Sequence, residues 1–510
     1  MGGAAVTRAD VDYGDVQGIV RFGYGKMKEA SYALVRVKSA EAARAWLRSA
    51  PITSATTLDP PPSTAMQVAF TAPGLEALGI PPSVLAGFSR EFLVGMTDDN
   101  RSRRLGDVGS NAPSGWEWGG ATGVPHLLVM FFAEIGALGT FAQSVTGGPW
   151  NAAFDVLRVL PTSNLGGVEP FGFMDGISEP QLDWSQERNV SAALIDYGNI
   201  VALGEFLLGY RNEYEKYTDR PLLDTGAATA GLPSAEDAPD KKDLGRNGTY
   251  LVMRQLRQDV RGFWQFFDKQ AGGDPAEAKR LAAAMVGRTV AGEPLVRVQE
   301  QAIAGVGPKL DQIRLNQFTF DLDPAGVECP ISAHIRRANP RNTDFPGRPT
   351  GLRRLVAALG FGRDNFRDDL TSPVRFHRIL RRGREYGPWL SPADALQAAP
   401  PGDPERGLHF ISLNANISRQ FEFLQDAWMM STKFSGLTGE SDPLLGNREA
   451  IAGCPATDNF NMPEEGGLRR RVTGVPQFVT VRGGAYFFLP GVRALRYFAG
   501  STSASGSTST

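Results

Sequence analysis

A chain of 510 residues with 42% hydrophobic and 21% charged residues has ordinary globular composition, which excludes a wholly disordered, collagenous or coiled-coil protein. Its 53 basic and 55 acidic side chains leave a formal net charge of −2, so the surface carries no electrostatic footprint for nucleic acid or an anionic membrane. Two cysteines, Cys329 and Cys454, and four histidines, His126, His334, His377 and His409, exclude a disulfide scaffold and a multi-cysteine zinc site.

At the N-terminus no basic stretch leads into an apolar one, and Thr7 comes one place too late after Gly2 for a myristoylation motif. The most apolar run, Leu127–Ala133, is far too short to span a bilayer and reads as a buried strand. A soluble, cytoplasmic protein of two or three domains is expected. Tyr32 to Arg36 reads as a strand, and Ser39 to Trp46 as a helix capped by Ser39. The same order returns with Tyr250 to Arg254 and a helical pattern over 258–264, and Tyr to Trp is fourteen residues in both. A duplicated unit is expected.

Other predicted strands cover 66–71, Leu127–Ala133, 155–160, 313–320, 408–413 and 478–488, the last with Gly483-Gly484 as a hairpin signal. Helices are predicted over Pro275–Val286, with Asp274 as N-cap and Pro275 in the first turn, and over 418–431. There is no regular βαβ rhythm and no phosphate-binding glycine loop, so an α+β fold with antiparallel sheets flanked by helices fits best. The small, polar, Pro-containing stretch 226–246 reads as an exposed loop or linker between an N-terminal domain, 15–225, and a C-terminal domain, 247–498. Residues 499–510 form an expected disordered tail.

Three segments could carry chemistry. Asp175 lies in Phe171-Gly-Phe-Met-Asp-Gly-Ile-Ser-Glu-Pro180, where Gly176 suits a turn. His334 lies in Cys329-Pro-Ile-Ser-Ala-His-Ile-Arg-Arg-Ala-Asn-Pro-Arg341, whose helical course must stop near Pro340. The third is basic, Arg381-Arg-Gly-Arg-Glu-Tyr-Gly387. Taken singly, they read as a turn, a structural histidine and a solvated charged face.

Taken together and in this order, they resemble the signature regions of the dye-decolorising peroxidases, a family of haem b enzymes. Gly172 to Gly176 matches Gly-x-x-Asp-Gly, His334 to Arg341 matches His-Ile-Arg-x-x-x-Pro-Arg, and Arg381 to Gly387 matches Arg-x-Gly-x-x-Tyr-Gly. Further likeness at Asp15 to Val20, Leu408 to Phe410, Asn414 to Phe423 and Gly483 to Pro490 carries the resemblance from about residue 15 to about residue 498.

The resemblance implies two ferredoxin-like α+β halves with the haem pocket mainly in the C-terminal one. It implies one haem b per chain, with His334 as axial iron ligand and Arg341 beside a haem propionate. Asp175 would be the distal acid–base residue, Arg381 its partner, and Leu408 and Phe410 the pocket lining. Arg381 is preferred to the adjacent Arg382 because it stands six residues before Gly387. Hydrogen peroxide would be the oxidant, and dyes, phenols and other one-electron donors the substrates, with an acidic optimum. One imidazole suffices where a porphyrin supplies four nitrogens. A carboxylate can move a peroxide proton in acid, where a distal histidine would already be charged.

The carboxylate expected beside the axial histidine has no obvious place: Asn416 stands where some relatives carry an acid, and Glu422 is a substitute. An aromatic relay to bulky donors is expected at Trp389, with Tyr386 or Trp428 next in line. Alternatives are a haem-processing protein of the same fold, deferrochelatase-like or a porphyrinogen oxidase, a Cys329 thiolate as iron ligand, and a cofactor-free binding module. Association of identical chains, the natural reductant and a metal-ion oxidation site all stay open.

Overall fold

The computed structural model describes residues 10–121, 123–186, 200–297, 315–316, 318–320, 322–341, 374–450 and 456–500. Its first half runs β1 (Glu29–Val37), α1 (Ala40–Ser49), β2 (Thr64–Phe70), β3 (Leu127–Ala133), α2 (Leu138–Val145), α3 (Gly148–Ala153) and β4 (Phe154–Pro161). The second runs β5 (Thr249–Gln258), α4 (Val260–Gln270), α5 (Pro275–Val286), α6 (His334–Ala338), β6 (Leu380–Arg381), β7 (Arg384–Tyr386), β8 (Gly407–Asn414), β9 (Val479–Leu489) and α7 (Val492–Gly500). Strands pair antiparallel in the order β2-β3-β1-β4 in one half and β6/β7-β8-β5-β9 in the other. Counted within each half, both orders are 4-1-3-2, that of the expected ferredoxin-like unit. The sheets of the two halves are joined into one continuous sheet where Phe488 of β9 pairs with Phe70 of β2.

The repeated tyrosines and tryptophans fall at matching places. Tyr32 of β1 and Tyr250 of β5 are fully buried. The Ser39 side chain accepts from Ala42 N–H to start α1, and Asp259 accepts from Gly262 N–H to start α4. Trp46 packs edge-on against Trp150 and Phe154, each at 5.2 Å between ring centres. Trp264 instead donates from its indole N–H to the Phe171 carbonyl at 3.1 Å. This bond ties α4 to the loop that carries Asp175.

Pro275–Val286 forms as predicted. Asp274 caps it by accepting from Ala276 N–H at 2.9 Å, and Gly287 ends it at φ 96°, a left-handed conformation that suits glycine. The helix predicted over 418–431 is wound wide, with i→i+5 bonds such as Glu422 N–H to Ile417 O at 2.9 Å.

Two expectations are corrected. Gly483-Gly484 makes no hairpin: β9 runs straight through it with a register shift between Val481 and Gly483. A Cβ at Gly483 would lie 2.4 Å from the Trp118 indole nitrogen, so the glycine admits a close neighbour instead of a turn. The described residues of 313–320 form no strand; the carbonyls of Leu315 and Asn316 accept from the guanidinium groups of Arg288 and Arg341. Within 226–246, Lys241–Asp243 pairs with Leu222–Asp224, and buried Arg220 holds Asp243 at 2.6 Å.

At the C-terminus α7 reaches Gly500 and buries Ala499 against the first half, where Arg48 donates to the Ala499 carbonyl at 2.7 Å. The tail from 501 to 510 and Cys454 lie outside the described residues. Among the described residues, no helix is long and apolar enough to cross a membrane.

Candidate active site

Side chains alternate across a strand, so every second residue of neighbouring strands shares a face. On one face of the second half, Arg254, Leu256 and Gln258 of β5, Leu408 and Phe410 of β8 and Val481 of β9 bound a cavity. A water molecule's centre can occupy ≈270 Å³ of it, where a single water needs about 10–15 Å³ by the same measure. Asp175, His334, Arg341 and Arg381 line the same cavity. Six residues spread over 236 positions, from 175 to 410 with both ends counted, thus converge on one space.

Asp175 is presented by a tight loop. Its backbone N–H donates to Gly167 O at 3.1 Å, and its Oδ1 accepts from Gly176 N–H at 2.6 Å. The loop is closed by Glu169, a carboxylate not singled out in the sequence, which accepts from the N–H groups of Phe171 and Phe173 at 3.0 Å and from the Gln258 amide at 2.6 Å. Burial pushes the Glu169 carboxyl up to about 7 against these three donors.

Arg381 donates from Nη1 to Asp175 Oδ1 at 2.9 Å. It is itself held by Glu179, which takes its backbone N–H and its Nη2, both at 2.8 Å. Successive residues point to opposite faces, so Arg382 turns away and donates to the carbonyls of Ile19 and Val20. Arg381 is the arginine that meets Asp175. Burial raises the Asp175 pKa, but the Arg381 charge and the Gly176 N–H outweigh it and hold the carboxyl below the usual carboxylate range. Asp175 and Glu179 keep the guanidinium firmly charged.

His334 opens α6 and directs Nδ1 at the buried carboxylate of Asp442, at 3.0 and 3.2 Å. Burial disfavours the charged imidazole, but Asp442's charge and hydrogen bond raise its pKa overall. Asp442 is fixed by Leu444 and Leu445 N–H at 2.9 and 2.8 Å, and its own pKa is lowered: burial pushes up, while His334, Arg337 and the backbone bond pull down further. Neither expected partner of His334 is the real one. Asn416 caps the following helix by accepting from Arg419 N–H at 2.8 Å. Glu422 is fully buried against Arg101, at 2.6 and 2.8 Å, and accepts from the Tyr486 hydroxyl at 2.9 Å. Glu422→Ala leaves that hydroxyl without its acceptor and Arg101 with only the longer contact to Glu91 at 3.5 Å, and is expected to lower stability by about 3 kcal/mol in a urea titration.

Of the other soft groups, His377 also lines the cavity, but it stacks flat on Phe423 at 3.7 Å, and burial lowers its pKa to about 4. Cys329 is fully buried away from the cavity lining, and burial pushes its thiol up to about 12, which opposes a thiolate ligand. Trp389 is 46% exposed and lies over Gly172, whose added Cβ would be 3.2 Å from the indole ring. Tyr386 stacks on His409 at 4.6 Å and donates to Glu405, whereas Trp428 is buried against His377 and Phe423.

The donor set fits a haem. One imidazole backed by a carboxylate, apolar walls and a carboxylate–guanidinium pair share a cavity much larger than a solvent void.

Comparison with sequence models of known families returns no match. Among curated proteins, the chain is 28% identical to a dye-decolorizing peroxidase of Mycetinis scorodonius over 97% of its own length and 88% of the relative's. It is 26% identical to one from Auricularia auricula-judae over 96% and 88%. The fold superposes on a crystal structure of the Auricularia auricula-judae protein with a TM-score of 0.68, at 24% identity, covering 96% of this chain and all of the other. A dye-decolorizing peroxidase in complex with 2,6-dimethoxyphenol gives 0.69 at 23% identity, over 96% of this chain and all of that one. Over nearly its whole length the chain is similar to dye-decolorizing peroxidases in sequence, and it shares their fold.

Proposed function

We propose that this protein is a haem b peroxidase, with one haem per chain, that reduces hydrogen peroxide and oxidises dyes, phenols and other one-electron donors in acid. The observation that carries this reading is that His334, backed by Asp442, and the Asp175–Arg381 pair line one cavity. When bound, the haem supplies the iron at which peroxide reacts and the electrons by which it is reduced. His334 would hold the iron through Nε2, since Nδ1 is engaged by Asp442. Leu408 and Phe410 would bound the distal space, and Arg341 would meet a propionate.

Asp175, kept ionised by Arg381, takes the proton from one peroxide oxygen and returns it to the other, which leaves as water. Arg381 has a second task. Its charge stabilises the negative charge that grows on the departing oxygen, and Glu179 fixes its direction. Glu169 keeps the loop closed so that the Asp175 carboxylate faces the cavity.

The test is an absorption spectrum of the purified protein before and after one equivalent of peroxide. A ferric haem band of imidazole type that changes on peroxide addition, and returns when a phenol is added, is the expected result. A colourless protein that takes up no added haem would overturn the reading. Trp389 would carry electrons from donors too large for the cavity, because it joins an exposed indole to the loop of Asp175. Trp389→Phe is expected to lower turnover of a bulky dye while peroxide reaction and oxidation of a small phenol persist. Equal dye turnover in both proteins would move the relay to Tyr386 or Trp428.

A further inference from the structure

Arg288 stands just beyond α5, lines the cavity and is 5% exposed. Its guanidinium donates to Gly292 O at 2.7 Å, to Leu315 O at 2.8 Å and to Ser178 Oγ at 2.9 Å, over the Phe318 ring. All three acceptors are neutral. Among the described residues no carboxylate is hydrogen-bonded or ion-paired to it. Burial and the neighbouring charge of Arg381 accordingly lower its pKa to about 10. Glu293 and Cys329 offset burial only in part, and a buried cation with no carboxylate in hydrogen-bond contact is costly, so an anion placed beside it would relieve that cost.

The Ser178 hydroxyl gives a second, independent observation. It accepts from Arg288 and also from Arg341 Nη2 at 3.1 Å, so both its lone pairs are engaged. Its own proton has no acceptor among the described residues, and the residue lines the cavity. Two guanidinium groups and a free hydroxyl proton therefore border one corner of the space that His334 enters. This is a donor set for a carboxylate.

We propose that Arg288, Ser178 and Arg341 form a carboxylate-binding site that takes one propionate of the haem. The proposal rests on the haem reading above and adds Arg288 and Ser178 to it. A propionate is favoured over a carboxylic acid substrate because a permanently buried charge calls for a permanent counter-ion.

The test uses the full-length protein, freed of haem and reconstituted with haem or with haem dimethyl ester, whose propionates carry no charge. Affinity is read by optical titration, and release by transfer of haem to apomyoglobin. Arg288→Met is expected to weaken haem binding roughly 10–100-fold, and Ser178→Ala several-fold, with the ester's affinity changed by less than about twofold in both. Arg288→Lys keeps the charge at shorter reach and should give a smaller, still haem-selective loss, which covers the case in which the methionine variant does not fold.

Equal weakening of haem and ester would make Arg288 a packing residue and overturn the proposal, as would no weakening of either. So would a variant that keeps haem but loses binding of benzoate, which would assign the site to an acid substrate. A wild-type protein that binds neither haem nor its ester would instead overturn the haem reading itself.

Discussion

Replacing Asp175 by Asn is expected to slow the reaction with peroxide by roughly 10²–10⁴-fold, the usual share of a positioned general base. The amide can still accept from Gly176 N–H and Arg381, so the loop should keep its shape while the proton acceptor is lost. Stopped-flow mixing of holoenzyme with peroxide reads the effect directly. Arg381→Leu is expected to cost about 10²–10³-fold by analogy with a lost oxyanion donor. It should also move the pH dependence. With Arg381 present, the Asp175 pKa is lowered, so the ionised base persists below the usual carboxylate range and activity is lost only as pH falls through that lowered value. Without it, burial is opposed mainly by the Gly176 N–H alone, so the pKa rises and the acid limb should shift to higher pH. Unchanged rates in both variants would refute the proton-transfer role.

His334→Ala is expected to abolish stable haem binding, or to leave haem that does not turn over peroxide. His377 is the other histidine lining the cavity, but it is stacked on Phe423 and its Nδ1 meets the Arg419 carbonyl, with no carboxylate behind it among the described residues. Asp442→Ala tests the pair from the other side. Losing the partner of a metal-bound imidazole costs about 10–100-fold in affinity or activity, so the variant should hold haem more weakly and react more slowly. Haem release to apomyoglobin and the ferric spectrum check both variants. Full haem loading with an unchanged imidazole spectrum in His334→Ala would reassign the ligand.

These two pairs differ in how far they could be read in advance. Asp175, His334 and Arg381 each sit in a short run of residues with a recognisable order, and the six singled-out residues line one cavity. Their partners carry no such mark. Asp442 is 108 positions from His334, and Glu179 is 202 from Arg381. Asn416 and Glu422 are nearer in kind to what was sought, yet one is spent on a helix cap and the other on Arg101.

Local interactions determined much of the fold. The Asp274-Pro275 start and Gly287 end of α5 depend on backbone groups within four residues, and the repeated Tyr and Trp fall on equivalent strands and helices. Ladder position and close approach were decided only by tertiary structure. Gly483 reads as a turn until Trp118 is packed against it, and 313–320 reads as a strand, whereas in its described part the carbonyls of Leu315 and Asn316 are taken by Arg288 and Arg341. A hydrogen bond or contact closed between segments distant in the chain imposes no periodicity on either of them. The sequence therefore determined the strands, helices and chemical groups, while folding decided which groups face each other across the cavity.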